Sequence, residues 1–261
     1  MVMRLIKSFK ASLMNPLGPD FKSAPWRHFN LSGSIIKFKC PPHEISSALK
    51  VAPEHIDIYK DDLFKVWSSK KGMSLELLTT GWKFWDRPFG KGAIGLTVTS
   101  IKLRRRHPHF QKVDSFFIQS AMSQWLLQYC EDMWGSLNRD TRARRNKKVR
   151  PVDPERDFWR YPQTENEIDI VNINGCNWYV ILAKLPEKAV EVEWHAPISD
   201  DHDLAIIFEP SAISCEYYKQ DNNIPKAVDE AINEFMSNVF VELSQEYKKR
   251  LDDMISLKNK S

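Results

Sequence analysis

Residues 173–213 limit the fold more than any other stretch of this chain. They contain three apolar runs, 178–182, 190–194 and 204–208, rich in the branched and aromatic side chains that fit a pleated surface. In the second run Val190, Val192 and Trp194 alternate with Glu191 and Glu193, which predicts one dry face and one wet face. Turn residues divide the runs, first Pro186, Glu187 and Lys188, then 197–203. Connections this short suit antiparallel neighbours, because a parallel crossover needs about a dozen residues. The segment is expected to form a β-meander.

Beyond it, Pro225 opens a stretch in which Val228, Ile232, Phe235, Val239, Leu243, Tyr247 and Met254 recur at helical spacing. Glu230, Glu234, Ser237, Gln245 and Lys248 turn away from that face. Pro suits a first helical turn, and Lys248, Lys249 and Arg250 suit the later ones, so one long helix is predicted. A sheet with one apolar face and a helix with one apolar stripe cover each other. The expected class is α+β, antiparallel sheet with packed helices. A meander followed by a long C-terminal helix resembles the PsbP-like fold; no motif goes with that likeness, and no function is carried over from it.

Upstream, strands are expected at 34–38, 64–68, 73–79 and 94–103, with an apolar cluster at 82–85 and a short helix at 45–51. A helix at 113–134 carries Phe117, Ala121, Trp125, Leu126, Tyr129 and Met133. Trp85-x-x-Pro88 and Trp194-x-x-Pro197 each precede a strand and then a helix, which predicts two similar sheet-plus-helix halves. The chain then divides into an N-terminal amphipathic helix and linker (1–24), a first α+β unit (25–138), a basic linker (139–160) and a second α+β unit (161–261). One compact domain is the alternative.

Apolar content of 42% with nine Trp is enough for a packed core and argues against disorder. With nine Gly, no Gly-rich phosphate loop is found, neither GxGxxG nor GxxxxGK[ST]. Cys40, Cys130, Cys176 and Cys215 make no CxxC pair, so they read as thiols in a reducing compartment. Residues 1–19 lack the apolar core of a secretory signal, and no later run reaches the length of a membrane span. Val2, Leu5, Ile6, Phe9 and Leu13 share one helical face, read as packing on the protein's own domain, with an anionic membrane surface or a partner as the alternative. The expectation is a soluble cytoplasmic protein.

Three constellations carry candidate chemistry. Residues 100–150 hold twelve Lys or Arg against four Asp or Glu, in a chain whose net charge is +4. Arg104, Arg105, Arg106, Arg142, Arg144, Arg145, Lys147 and Lys148 form an anion- or partner-binding candidate, with Trp159 as its aromatic neighbour, because clustered guanidinium groups suit phosphate. His195, Asp200, His202 and Asp203 include donor types for a divalent metal, but turns recruit Asp for backbone bonding alone, and no metal or cofactor is expected. Glu165, Glu167 and Asp169 alternate with Ile168 and Ile170 and read as a wet strand face. No GxSxG elbow occurs. The leading expectation is a non-catalytic macromolecular binding protein with another protein as partner. The alternatives are a nucleic-acid or polyanion binder using 104–106 and 142–150, and a hydrolase with a site between the two halves.

Overall fold

The computed structural model describes residues 9–64, 73–106, 112–143 and 151–258. Its strands are β1 (Trp26–Leu31), β2 (Ser34–Lys39), β3 (Lys50–Val51), β4 (His55–Ile56), β5 (Ser74–Trp85) and β6 (Ala93–Arg105), followed by β7 (Asp169–Ile173), β8 (Cys176–Ala183), β9 (Glu191–Pro197), β10 (His202–Ala212) and β11 (Val239–Glu242). Helix α1 (Gln119–Cys130) runs through a π-type turn (Glu131–Gly135) into α2 (Ser136–Ala143). A short α3 (Pro154–Asp157), α4 (Ile224–Ser237) and α5 (Gln245–Lys258) complete the set.

The class is α+β. A seven-stranded antiparallel sheet has the order β3-β5-β6-β10-β9-β8-β7. A four-stranded sheet has the order β11-β2-β1-β4, antiparallel except for the β1–β4 pair. The meander forms as its alternation predicts, with β8, β9 and β10 side by side and Val180 opposite Trp194 opposite Ile206. Gly81 sits inside β5, where an added Cβ would lie 2.3 Å from Ile45 Cδ1 and 2.9 Å from the Thr97 carbonyl. Its missing side chain lets the loop before β3 lie on the strand, and β5 joins the runs expected at 73–79 and 82–85 into one strand from Ser74 to Trp85, with register shifts against β6 after Glu76 and Phe84.

Two cores flank the large sheet. In the first, Trp178, Val180, Trp194, Leu204, Ile206 and Phe208 meet Phe29, Ile36 and Phe38 of the small sheet and Val228, Ile232 and Phe235 of α4. The Phe235 ring stands 5.6–5.9 Å from those of Phe21, Phe38, Trp82 and Phe208. In the second, α1 lays Met122, Trp125, Leu126 and Tyr129 over Tyr179, Ile181 and Ala183. The face that alternation marks as wet is therefore covered by a helix, and Glu193 is only 1% exposed.

Several expectations are corrected. The long helix from 225 stops at Asn238, whose side chain donates to the Glu234 carbonyl at 2.8 Å. Val239 and Val241 then pair with Phe38 and Ile36 on β2, because a Val-Phe-Val segment beside an open strand edge gains a ladder. The predicted helix at 45–51 is a bend ending in β3, held by the Glu44 amide on the Gly81 carbonyl. Glu165–Glu167 is a 3-10 turn closed by a capping box, and β7 begins only at Asp169. The α1 helix starts at Gln119, later than predicted, and the helical segment continues to Ala143. Strand β1 was not anticipated. The predicted strand at 64–68 follows a 3-10 turn (Asp61–Phe64) and otherwise lies outside the described residues, as do residues 1–8 of the N-terminal helix.

The two Trp-x-x-Pro segments both belong to hairpins of the large sheet, β5–β6 and β9–β10. Trp85 ends its strand whereas Trp194 lies inside one, and α1 and α4 cover opposite faces. Segments 25–138 and 161–261 contribute strands to both sheets. No helix among the described residues is long and apolar enough to cross a membrane.

Candidate functional site

The outer face of β6, β10 and β9, under α1, carries the densest chemistry. Pleating sends Glu191, Glu193 and His195 to this side of β9, and the register sets His195 opposite Ala205 and Glu193 opposite Ile207. Asp203 lies opposite Arg104 across the β10–β6 pair. From above, Trp125 and Tyr129, one helical turn apart on α1, bring an N–H and an O–H down onto the sheet.

These groups form one buried network. The Arg104 Nη2 donates to Tyr129 Oη at 2.7 Å and to Glu193 Oε2 at 3.3 Å, and its guanidinium lies 3.8 Å from the Tyr129 ring centroid. Tyr129 donates to Glu193 Oε1 at 3.1 Å. His195 Nε2 is 3.0 Å from Glu193 and Nδ1 is 2.8 Å from Asp203, which also accepts from Trp125 Nε1 at 3.3 Å. Both imidazole nitrogens face carboxylate oxygens, an arrangement satisfied when each carries a proton. Arg104 supplies the permanent positive charge set against Glu193, and the His195 ring bridges Glu193 and Asp203, so the buried carboxylates are paired and hydrogen-bonded, as burial demands. Burial opposes ionisation of Glu193, but Arg104, His195 and Tyr129 outweigh it and pull its pKa down to about 2. Among the described residues, Arg104 Nη1 has no hydrogen-bond partner.

A cavity of about 140 Å³ opens beside this network, lined by Arg104, Tyr129, Met133, Glu191, Glu193 and Glu209 among others. A larger groove of about 480 Å³ shares Glu191 and Glu209 with it and adds Trp159, Glu187, Lys188 and Tyr217. Burial, and then the neighbouring Glu193 and Glu209 carboxylates, push Glu191 up to about 8, with Lys102 pulling the other way. At neutral pH Glu191 is thus largely a neutral acid beside carboxylates. His195, fully buried and engaged at both nitrogens, cannot reach a guest in either hollow.

The basic candidates scatter. Arg104 is buried in the network, so it is not available to a partner on the surface. Pleating sends Arg105 to the opposite face, 4.4 Å from the Phe64 ring, and Arg106 donates to the Val113 carbonyl. Arg142 lies 4.6 Å from the Phe158 ring; Arg144, Arg145, Lys147 and Lys148 lie outside the described residues. Trp159 is half-buried, held by Asn138 bonds of 2.8 and 3.0 Å, with its ring 6.4 Å from Trp134. The four metal candidates also separate. His195 and Asp203 join the network, His202 pairs with Ser199 and Asp201, and Asp200 accepts from Ser115 and pairs with Arg250. Among the described residues no group of three His, Cys, Asp or Glu is placed to hold a metal ion.

Sequence reasoning missed Glu191, Glu193, Glu209, Lys102 and Tyr129. The available signal was the alternation of Glu191, Glu193 and His195 on one strand face, together with two amphipathic aromatics four residues apart on a helix. No protein-family model matches the chain, and no curated protein or solved structure matches it either.

Proposed function

We propose that this is a non-catalytic binding protein whose groove over β9 and β10 receives a Lys or Arg side chain of a protein partner. The carrying observation is that Glu191 and Glu209 line both hollows while Glu193 is already engaged by Arg104 and His195. A guest cation adds positive charge beside Glu191 and Glu209 to that of Lys102 and Lys188, and Trp159 and Tyr217 offer aromatic walls for its stem. A cytoplasmic location accords with the four cysteines being free thiols. The test is calorimetric titration with matched basic, neutral and acidic peptides. The basic peptide should bind best, E191Q/E209Q should weaken it about tenfold or more, and affinity should rise with pH toward 8 as Glu191 ionises. Equal binding of the three peptides, or an unaffected double variant, defeats this reading.

One observation favours a second reading. A carboxyl that is neutral at pH 7 beside a carboxylate is the pairing used in general acid catalysis. A hydrolase with Glu191 as proton donor would lose turnover in E191Q and slow above pH 8, the opposite of the binding trend.

A further inference from the structure

The other side of the molecule presents a different surface. The outward-facing residues of the four-stranded sheet follow from its register: Trp26 is opposite Lys39, His28 opposite Lys37, and Lys37 opposite Phe240 on the next strand. Trp26 and Phe240 are 45% and 44% exposed although their rings stand 5.8 Å apart. Lys37 Nζ is 4.7 Å and Lys39 Nζ 5.5 Å from the Trp26 ring centroid. Single exposed aromatics are ordinary, but a neighbouring pair on a sheet face, framed by two ammonium groups, is the combination that single strands use. The two basic runs of the sequence lack that interleaving; here the fold assembles it from β1, β2 and β11.

We infer that this face is a platform for single-stranded nucleic acid, with bases stacked on Trp26 and Phe240 and phosphates drawn to Lys37 and Lys39. Around the Trp26–Phe240 pair the charges are the Lys37 and Lys39 ammonium groups, which favour a polyanion there, while Glu242 and Glu54 bound the face on its far side. His28, 3.7 Å from Glu54, and Asn30, whose Oδ1 accepts from the Gly33 amide, lie on the same face; the Asn30 amide N–H groups and the other His28 ring nitrogen can hydrogen-bond base edges, whereas insertion into lipid would strand them. The face is built from the adjacent strands β1, β2 and β11 rather than from a helix or a two-stranded ribbon of the kind that enters a duplex groove. This site is separate from the groove over β9 and β10 and does not depend on it.

Fluorescence anisotropy with labelled single strands of about 12 nucleotides, across a salt series, tests the inference. The wild-type protein should bind single strands more tightly than the matched duplex. W26A/F240A should weaken binding about tenfold or more. K37Q/K39Q should lower the log–log salt slope by about 1.4, from about 0.7 per phosphate contact on a single strand. K226A, at an exposed position of α4, and R144Q/R145Q/K147Q/K148Q should leave both unchanged. Circular dichroism checks that the variants fold, and K37E gives a second reading of the same face should W26A/F240A lose structure. The inference is overturned if no single strand binds at low salt or if duplex is preferred. It also fails if the loss is confined to the 144–148 variant, or if phosphatidylserine vesicles bind while oligonucleotides do not.

Discussion

Replacing Arg104 with Met removes the one permanent cation from the buried network while roughly preserving side-chain length. The loss is two charge-assisted hydrogen bonds, to Tyr129 and Glu193, and the stacking on the Tyr129 ring. Glu193 and Asp203 then keep the His195 ring between them but no permanent cation, at sites 1% exposed or less. Breaking a buried pair by removing one partner costs about 3–5 kcal/mol. Against the opposing effect of burial, the network, with Arg104 as the largest favourable contributor, holds Glu193 down from 4.5 to about 2, and so stabilises the folded state. Because the folded pKa is depressed, that stability is full above pH 4.5 and is lost as pH falls toward 2. Urea unfolding at pH 7 and pH 3, followed by fluorescence and circular dichroism, should show the R104M midpoint lower by about 1 M at pH 7. At pH 3 the deficit should shrink to under half of that. Adding E193Q should recover at least half of the loss, since the amide keeps the Tyr129 and His195 contacts without the charge. A pH 7 cost below about 1 kcal/mol, a deficit that does not shrink in acid, or an E193Q that deepens it would refute the charge-balance argument.

Two further predictions concern stability. Glu191, raised to about 8, is a half-buried neutral acid whose contribution is present below pH 4.5 and lost as pH rises through 8. E191Q should therefore match the wild type near pH 4 and exceed it at pH 9 by about 2 kcal/mol after discounting for partial exposure; equal melting temperatures at both pH values would be the contrary result. Phe235 is fully buried among four aromatic rings, so F235A should cost about 3–5 kcal/mol and lower Tm by roughly 10 °C. A drop of only about 2 °C would mean that α4 does not hold the two sheets together as described.

The meander, the amphipathic start of α4 and the α+β class were legible in the sequence, because strand alternation, helical periodicity and short polar turns are local properties. The same local properties could not say what covers each face. Glu191 and Glu193 alternate with Val and Trp whether water or a helix lies above them. What seals Glu193 is Tyr129, 64 residues earlier in the chain. The run Arg104–Arg106 reads as one basic patch until pleating and the strand's end send its three side chains to different partners. Val239 fits the helical period begun at Val228 equally well as helix or strand, and the open edge of β2, supplied by Phe38 and Ile36, decides for strand. Each of these outcomes depends on which distant surface arrives to bury a segment. That choice belongs to tertiary structure because the free energy that makes it comes from burial and pairing between residues far apart in sequence.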